Sequence, residues 1–266
     1  MPFYQSDQIR YFAFESLAAA GALNAAISRH GGVSPSPWAS LNVGATVGDD
    51  IQRVNENRRR SFQALARPFE RLYDVWQVHG TEVVCASAPR SPHQIHLRAD
   101  AILTDRPHVT LFMRFADCVP IFLFDPSRRV VGLVHAGWLG TVKRITRSAV
   151  QAMQTCYGSQ PPDVLAAIGP SICPDHYPVG PEVEAQVRQS FNDSADALLL
   201  RSDRAGLNSG VKFDLWSANR LALEEAGVSQ IECSNICTAC HLEDWYSHRG
   251  EKGSTGRFGA LISLSE

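Results

Sequence analysis

The sequence predicts an α+β fold of mixed β-sheets flanked by helices, and three observations support this prediction. Six short apolar runs rich in β-branched or aromatic residues follow one another between residues 72 and 136, which is typical of a block of strands. Segments whose apolar residues recur at helical spacing stand on both sides of this block. The strict alternation of strands and helices that a doubly wound sheet requires is absent.

The first predicted helix is IQRVNENRRRSFQALAR, residues 51–67, with Asp49 and Asp50 in front of it as N-cap residues. The long loop before it, residues 31–50, is rich in Gly, Ser and Pro, and loops of this length are often functional. Turn signals such as DPSRR separate the strands that follow, so we expect them to be largely antiparallel. These strands are LYDVWQVHG, TEVVCA, ADAILT, VTLFMRF, VPIFLFD and VVGLVHA.

A helix is predicted from about Trp138 through TVKRITRSAVQAMQTC, because its apolar residues recur at helical spacing. The remaining predicted elements are, in order, the strand DVLAAIG, the helices GPEVEAQVRQSF and DLWSANRLALEEAG, and the strands VSQIECSN and RFGALISL. No internal repeat and no low-complexity linker interrupts the chain. We therefore expect residues 1–266 to form a single domain.

The composition is that of an ordinary globular enzyme, with 44% hydrophobic and 20% charged residues in a chain of 266. A net charge of −2 gives no electrostatic reason to expect nucleic acid or an anionic membrane as a partner. No apolar run approaches the roughly 20 residues of a membrane helix, and no signal-peptide pattern is visible. The seven cysteines, scattered apart from Cys237 and Cys240, favour reduced thiols and a cytoplasmic location.

The first candidate site consists of His79, Cys118 and His135. Each follows or closes a strand-like run, WQVHG, RFADCVP or GLVHAGW, and strand ends are where side chains converge at the rim of a sheet. Two histidines and a cysteine suit Zn²⁺, and three protein ligands leave a fourth position open for water or substrate. The alternative is a buried structural cysteine with two histidines that only satisfy backbone groups, since ligands so dispersed form no local spacing motif.

Two further segments carry weaker signals. Cys237 and Cys240 form a lone C-x-x-C beside His241, and without a second C-x-x-C a packing or loop role is favoured. In the following loop, YSHRG, the guanidinium of Arg249 suits an anionic or planar polar substrate, with a solvated loop charge as the alternative. The glycine turns HAGWLGT and IGPSIC resemble anion-binding turns but match no phosphate-binding motif, so plain turns are the default.

Taken together, these segments resemble the YfiH-like family, also described as laccase-domain or multicopper polyphenol oxidase proteins and as peptidoglycan editing factors. The matching blocks cover about residues 40–263 in the family's order. They are LNVGATVGDD, WQVHGTEV, ADAILT, MRFADCVPIFLFD, VGLVHAGW, IGPSIC…YPVGPEV, CTAC and YSHRGEKGSTGRFGALI.

The resemblance implies a YfiH-like α+β fold, related to that of a group of cysteine-dependent toxin deamidases. It implies that His79, Cys118 and His135 bind the metal and form the catalytic site, with zinc as the expected ion. The implied activity is phosphorolysis of adenosine, inosine, guanosine and methylthioadenosine to base and ribose-1-phosphate, together with adenosine deamination. The expected partners are therefore purine nucleosides and phosphate, bound by a monomer or small homo-oligomer.

Several residues around the ligands receive expected roles. We expect Asn42, Ser247 and Arg249 to contact the substrate, and Asp117 to orient a ligand histidine by accepting its hydrogen bond. A strand-end cap is the more ordinary role for Asp117.

The chain departs from the family pattern at two places. Leu139 stands where the family has Arg after HAGW, so Arg249 or Lys143 would have to supply the anion contact. Asp175 and His176 stand where the family has paired cysteines, which makes His176 an additional candidate for the site.

The residues do not support a four-copper oxidase, since the chain has nine histidines, no His-x-His pair and three methionines. A lone His₂Cys site would still take up copper, which binds N/S ligands more tightly than zinc, so a copper-dependent polyphenol oxidoreductase stays an alternative. A second alternative is a cysteine hydrolase or amidase of peptidoglycan precursors, with Cys118 as nucleophile and His135 as base. A non-catalytic metal-binding module is the third, although an open three-ligand site argues against it.

Overall fold

The structure, a computed structural model, describes residues 3–201 and 210–265. Its strands are β1 (Phe3–Ser6), β2 (Ile9–Phe12), β3 (Ala22–Ile27), β4 (Leu72–Tyr73), β5 (Val83–Cys85), β6 (Ala101–Thr104), β7 (Thr110–Phe115), β8 (Val119–Asp125), β9 (Val130–Ala136), β10 (Leu165–Ile168), β11 (Pro178–Val179), β12 (Leu199–Arg201), β13 (Val211–Phe213), β14 (Gln230–Cys233) and β15 (Phe258–Leu264). Its α-helices are α1 (Glu15–Ala20), α2 (Ile51–Ala64), α3 (Trp138–Val142), α4 (Ile145–Tyr157), α5 (Pro181–Phe191), α6 (Ala195–Leu198) and α7 (Leu215–Glu225). Short 3₁₀ helices lie at Phe69–Arg71, Pro161–Asp163, Pro174–His176 and Asn192–Ser194.

Two six-stranded sheets form the centre of the molecule. The first has the order β1-β2-β3-β15-β7-β4 and the second the order β14-β10-β8-β9-β6-β5, while β11, β13 and β12 form a small third sheet. Pairing is antiparallel except between β4 and β7, β5 and β6, and β10 and β14. The predicted α+β class with mixed sheets is confirmed. Within the predicted block of strands, β6–β9 and β8–β9 pair antiparallel as expected, whereas β4–β7 and β5–β6 pair in parallel, so the block is mixed rather than largely antiparallel.

Side-chain alternation along β8 shows how the layers pack. Phe122 and Phe124 point into the core between the two sheets. Ile121 and Leu123 point the other way, into a core that α4 and α7 cover. Helix α2 covers the outer face of the first sheet through Phe62. Because both faces of the second sheet are covered, every residue of β8 and β9 is buried, which explains their continuous apolar runs.

The β8–β9 hairpin brings two of the predicted ligands together. Val119 pairs with Ala136 and Pro120 with His135 in antiparallel register. Cys118, directly before β8, therefore lies at the same end of the sheet as His135, near the end of β9. The two residues are separated in sequence by the whole hairpin, and antiparallel pairing makes them neighbours.

Two predicted boundaries are wrong for local reasons. The helix predicted from Trp138 is two helices, α3 and α4, because Arg144 between them has a left-handed backbone (φ 64°). Its guanidinium is held by Glu225, by the carbonyl of Ser190 and by the ring of Phe191. The run LYDVWQVHG forms a strand only at its first two residues, so His79 lies in a loop and not at a strand end.

Two N-cap residues, Asp49 and Asp50, were predicted for the helix over residues 51–67, which is α2 in the structure, and one of them is confirmed. The carboxylate of Asp50 accepts hydrogen bonds from the backbone N–H groups of Gln52 and Arg53. Asp49 instead accepts hydrogen bonds from Ser34 and Asn42 in the preceding loop. Across residues 3–201 and 210–265, no helix combines the length and the apolar character needed to cross a membrane.

Candidate active site

His79, Cys118 and His135 lie together at one cavity of about 690 Å³, a size within the usual range for small-molecule sites. The donor atoms of the three side chains all lie within 4.8 Å of one another. The Sγ of Cys118 is 3.8 Å from Nε2 of His79. The structure thus brings together the three residues that the sequence singles out, from a loop, a turn and a strand.

Asp100 holds two of these three residues, His79 and His135, in place, and the sequence prediction does not include it. Its carboxylate contacts Nδ1 of His135 at 2.8 Å, which leaves Nε2 of that ring directed at the cavity. The same carboxylate accepts hydrogen bonds from the backbone N–H groups of Val78, His79 and Gly80. His79 can therefore keep a left-handed backbone (φ 57°) outside any strand. A sequence signal exists, since Asp100 directly precedes the strand that pairs with β9.

The ring of His135 and the thiol of Cys118 change each other's acidity. Burial opposes ionisation of the thiol, but the charge and hydrogen bonding of His135, and then of His79, lower the pKa of Cys118 to about 6. Burial likewise opposes protonation of His135, but Cys118 and Asp100 raise its pKa to about 9. Without a metal ion, both pKa shifts favour the thiolate form of Cys118 and the imidazolium form of His135.

Gly137 makes the close approach of the ligands feasible. A Cβ at this position would lie 2.8 Å from Cδ2 of His79 and 2.9 Å from Sγ of Cys118. Any side chain would therefore push the two ligands aside. This explains the glycine of the HAGW segment by a close contact and not by an anion-binding turn.

Asp117 does not orient a ligand histidine, because its carboxylate contacts other partners. It accepts hydrogen bonds from the hydroxyl of Ser247 (2.6 Å), the hydroxyl of Thr238 (2.7 Å) and the backbone N–H of Arg249 (2.6 Å). These contacts hold Asp117 in a backbone conformation with φ 83° and join the turn before Cys118 to the loop of Arg249. The carboxylate expected beside a ligand histidine is that of Asp100.

Two of the three residues predicted to touch substrate lie behind the cavity wall. Asn42 is fully buried; its side chain accepts hydrogen bonds from the backbone N–H groups of Gly44 and Arg257 and donates to Asp49. Ser247 is also fully buried, donating to Asp117 and accepting from the N–H of Gly250. Both sequence expectations are corrected, since the hydrogen-bonding groups of these side chains serve the loops.

Arg249, which was predicted to contact substrate, lines the cavity together with three further arginines. Its guanidinium lies 4.9 Å from the ring centroid of Tyr177 and donates to the carbonyl of Pro178. The others are Arg58 from α2, Arg114 from β7 and Arg257 from the segment before β15. The sequence prediction missed them because Arg58 stands in a run of three arginines on a predicted helix, and Arg114 and Arg257 stand in predicted strands, positions that carry no ligand signal. The other suggested substitute, Lys143, lines a separate pocket with Gln186 and Gln189.

Three of these arginines lack a carboxylate partner. Among the described residues, Arg58, Arg249 and Arg257 form no ion pair, whereas Arg114 pairs with the buried Asp74. Burial, followed by the neighbouring charge of Arg114, lowers the pKa of Arg58 to about 10. Burial lowers the pKa of Arg257 as well, and the nearby Cys118 and Asp117 partly offset this effect. Cations without counter-charges are suited to bind an anion, and two of these three, Arg58 and Arg257, are partly buried.

The donor set fits one metal ion and not a copper cluster. Two imidazoles and a thiolate with donor atoms this close suit Zn²⁺ or a single copper ion, and Asp100 fixes the ring orientation of His135 as metal-bound histidines require. A trinuclear copper centre needs many more histidines. In the described part of the chain, no group of neighbouring metal-donor residues contains more than two histidines.

Comparisons with known proteins agree with the observed fold. Residues 24–265 match the family model described as "Multi-copper polyphenol oxidoreductase laccase". The chain is 40% identical over 255 residues to "Purine nucleoside phosphorylase YlmD" of Geobacillus stearothermophilus, covering 93% of this chain and 92% of that one. It is also 40% identical over 237 residues to a "Purine nucleoside phosphorylase" of Deinococcus radiodurans, covering 89% and 87% of the two chains.

A solved structure is similar over almost the whole length of the chain. The crystal structure of the Bacillus licheniformis hypothetical protein YfiH superimposes with a TM-score of 0.89 at 32% identity, covering 99% of both chains. On the match over residues 24–265 and on these relatives, the chain belongs to the YfiH/YlmD family of laccase-like domains.

Proposed function

We propose that this protein is a purine nucleoside phosphorylase acting in the cavity of His79, Cys118 and His135. The observation that carries the proposal is the meeting, in one cavity, of a metal-ligand trio with arginines that have no carboxylate partner. Phosphorolysis needs both a site for phosphate and a means to stabilise charge at the reacting centre. The names of the curated relatives support the same activity.

Arg58, Arg257 and Arg249 are the proposed phosphate ligands. A guanidinium binds a phosphate through two parallel hydrogen bonds. Arg58 uses Nε for the carbonyl of Val43, and Arg257 uses one terminal nitrogen for the carbonyls of Thr255 and Gly256. Each guanidinium is thus fixed by backbone carbonyls, which accept hydrogen bonds without adding a competing negative charge.

The purine would lie against the aromatic part of the cavity wall. Trp76, Trp138 and Tyr177 line the cavity, and a flat heteroaromatic ring stacks favourably on such side chains. The expected substrates are adenosine, inosine, guanosine and methylthioadenosine.

In the proposed reaction, a phosphate oxygen forms a bond to C1′ of the ribose while the bond from C1′ to N9 breaks. The electron pair of the broken bond leaves with the purine, which takes up a proton, and the sugar becomes ribose-1-phosphate. The arginines hold phosphate in line with C1′ for attack. Zinc bound by His79, Cys118 and His135 would supply Lewis-acid stabilisation of developing negative charge. Asp100 keeps His135 oriented throughout.

Adenosine deamination is included in the proposal as a second reaction of the same cavity. Here water adds at C6 of the purine and ammonia leaves, so this reaction needs no phosphate. The proposal also includes a cytoplasmic monomer or small homo-oligomer with a single domain over residues 1–266.

A cysteine hydrolase is the second candidate, and Asp100 is the observation that favours it. Cys118, His135 and Asp100 have the order of nucleophile, base and orienting carboxylate. From the sequence alone, no third member of such a group is evident. This candidate requires a thiolate that is free of metal.

The variant Cys118→Ala separates the two candidates, with Cys156→Ala as the control because Cys156 is an exposed cysteine. Metal content and nucleoside turnover should fall together in Cys118→Ala and stay unchanged in the control. Full metal content with lost turnover would favour the hydrolase. Turnover that survives the substitution would contradict both candidates.

A further inference from the structure

A second group of metal-binding side chains lies outside the trio of the cavity. It consists of Cys173, His176, Cys237 and Cys240, whose donor atoms all lie within 4.8 Å of one another. Nδ1 of His176 is 3.4 Å from Sγ of Cys173, 3.4 Å from Sγ of Cys240 and 3.9 Å from Sγ of Cys237. One imidazole nitrogen thus faces three thiols.

The sequence spacing of the four residues is that of a zinc-binding motif. Cys173-Pro-Asp-His176 is a C-x-x-H pair and Cys237-Thr-Ala-Cys240 a C-x-x-C pair. Pairs of this kind, brought together by the fold, are typical of structural zinc sites. The sequence favours a packing role for the C-x-x-C because a second C-x-x-C is absent. The C-x-x-H supplies the missing half.

The backbone holds the two pairs in register before any ion binds. Ser171, two residues before Cys173, forms a β-bridge with Cys237. Its N–H donates to the carbonyl of Ile236, and its carbonyl accepts from the N–H of Thr238. The N–H of Cys173 also donates to Sγ of Cys237 at 3.3 Å, a contact suited to a thiolate.

The distances match those around a tetrahedral zinc ion. With Zn–S of about 2.3 Å and Zn–N of about 2.0–2.1 Å, neighbouring S and N ligands lie roughly 3.6 Å apart. The separations of 3.4–3.9 Å bracket that value. All seven cysteines are free thiols.

We propose that Cys173, His176, Cys237 and Cys240 form a second zinc site, of structural type and separate from the cavity. Four protein ligands fill a tetrahedral coordination sphere, so this site has no open position for a substrate. The exposed side chains of His176 and Cys240 give the ion access from solvent, while Cys173 and Cys237 are buried beneath them.

The site is placed to stiffen one wall of the cavity. Tyr177 follows His176 directly, lines the cavity and lies against the guanidinium of Arg249. Thr238, between the two cysteines of the C-x-x-C, donates to Asp117 beside Cys118. Zinc would therefore fix two turns that support Tyr177 and Asp117, and its ligands act as positioning residues.

Zinc content per chain tests the proposal without reference to activity. Protein produced with zinc in the medium and dialysed is analysed by elemental mass spectrometry for the wild type, Cys240→Ser and Cys118→Ser. The control is Cys156→Ser, an exposed cysteine outside the cluster. We expect two zinc ions per chain in the wild type and the control, and one in each of the other variants. A count in Cys240→Ser equal to that of the control would overturn the proposal.

Cobalt substitution identifies which site holds the ion. In Cys118→Ser loaded with Co²⁺, the four-residue site should give the tetrahedral ligand-field bands and strong thiolate charge-transfer absorption of three cysteine ligands. Absence of these bands from cobalt-loaded Cys118→Ser would contradict the proposed second zinc site. So would a disulfide among Cys173, Cys237 and Cys240, detected by alkylation of the wild type under non-reducing conditions. Zinc content and the cobalt spectrum are both measured without nucleoside turnover. Failure of the second zinc site would therefore not affect the proposed function, and failure of the proposed function would not affect the second zinc site.

A kinetic consequence follows for the wall of the cavity. The Michaelis constant for nucleoside should rise at least several-fold in Cys240→Ser, together with the loss of one zinc. If Cys240→Ser has lost that zinc but keeps the Michaelis constant of the wild type for nucleoside, the second site has no positioning role.

Discussion

Asp100 shows how a single buried carboxylate assembles a site from distant segments. It contacts the ring of His135 and caps three backbone N–H groups of the loop that contains His79. Both histidines of the candidate metal site thus depend on one side chain. Gly137 complements it, because the absence of a side chain lets His79 and Cys118 approach each other.

We expect Asp100→Asn to weaken metal binding at the cavity by about 10–100-fold, as for other carboxylates bound to a ligand histidine. The amide keeps the size of the side chain but loses the charge that fixes His135. Competition with a chromophoric zinc chelator measures the affinity. Asp105→Asn, which alters a carboxylate paired with the exposed Arg106, is the control, and equal affinities in the two variants would count against this role of Asp100.

Arg58→Ala should raise the Michaelis constant for phosphate more than that for nucleoside. A hydrogen bond to a charged group contributes about 1.5–3 kcal/mol, or roughly 10- to 150-fold in the constant. The matched control is Arg59→Ala, because Arg59 is the next residue of α2, is exposed and does not line the cavity. Initial rates at varied phosphate concentration measure this constant. Equal Michaelis constants for phosphate in Arg58→Ala and Arg59→Ala would exclude Arg58 as a phosphate ligand.

At the scale of elements, strongly patterned segments were predictable and irregular ones were not. The runs VPIFLFD and VVGLVHA became β8 and β9 because both faces of their sheet are covered. β1, β2 and β3, and the small sheet of β11, β12 and β13, are not among the predicted elements. Several of them are short and partly exposed, so tertiary pairing and not pattern determines them.

The candidate site was also predictable only in part. The grouping of His79, Cys118 and His135 was predicted from their places beside strand-like runs and, more strongly, from the family resemblance; the structure brings the three side chains together. Asp100, Arg58 and Arg257 were missed, since their roles arise from contacts between segments far apart in the chain. The same reason applies to Asn42 and Ser247, whose polar groups are satisfied by neighbouring loops that the sequence does not place.

β15 supports the site from beneath through an aromatic cluster. Phe258 packs on Phe115 (ring centroids 5.8 Å apart) and on Trp245 (5.0 Å), and Phe115 in turn contacts the ring of His135 (5.4 Å). The packing of the first sheet therefore reaches a predicted metal ligand in two contacts.

Phe258→Ala should lower the free energy of unfolding by about 3–5 kcal/mol, because the side chain is fully buried and leaves a cavity. Urea denaturation followed by circular dichroism measures the change. Ile95→Ala, at a side chain 88% exposed, should change stability by no more than about 0.5 kcal/mol. Similar effects in the two variants would contradict the assigned core.

At the scale of the whole molecule, a buried charge network joins the outer loops to the cavity. The carboxylate of Asp74 is fully buried and pairs with Arg90 (2.7 Å), Arg114 (3.1 Å) and His96 (3.2 Å). Arg114 and His96 also line the cavity. Burial alone would raise the pKa of Asp74, but the hydrogen bonds and charges of these three partners outweigh it and hold the pKa well below its usual range.

This network predicts loss of stability in acid. A carboxyl whose pKa is depressed in the folded state stabilises the fold above its unfolded pKa of about 3.9 and loses this contribution as the pH falls further. Asp74→Asn should cost about 3–5 kcal/mol at pH 7, because it leaves buried arginines without their partner. The difference from wild type should shrink between about pH 4 and pH 2.

Urea denaturation at several pH values measures this difference, with Asp7→Asn at an exposed carboxylate as the control. A difference between wild type and Asp74→Asn that is constant across the acid range would contradict the assignment of the acid sensitivity to Asp74.

The proposed phosphorolysis is tested most directly by incubating the purified protein with inosine or adenosine, with and without phosphate, and separating the products by chromatography. We expect free base and ribose-1-phosphate to appear only with phosphate, and inosine to form from adenosine without it. If neither free base nor inosine forms while the metal remains bound, the proposed nucleoside chemistry is wrong and the cysteine hydrolase becomes the leading candidate.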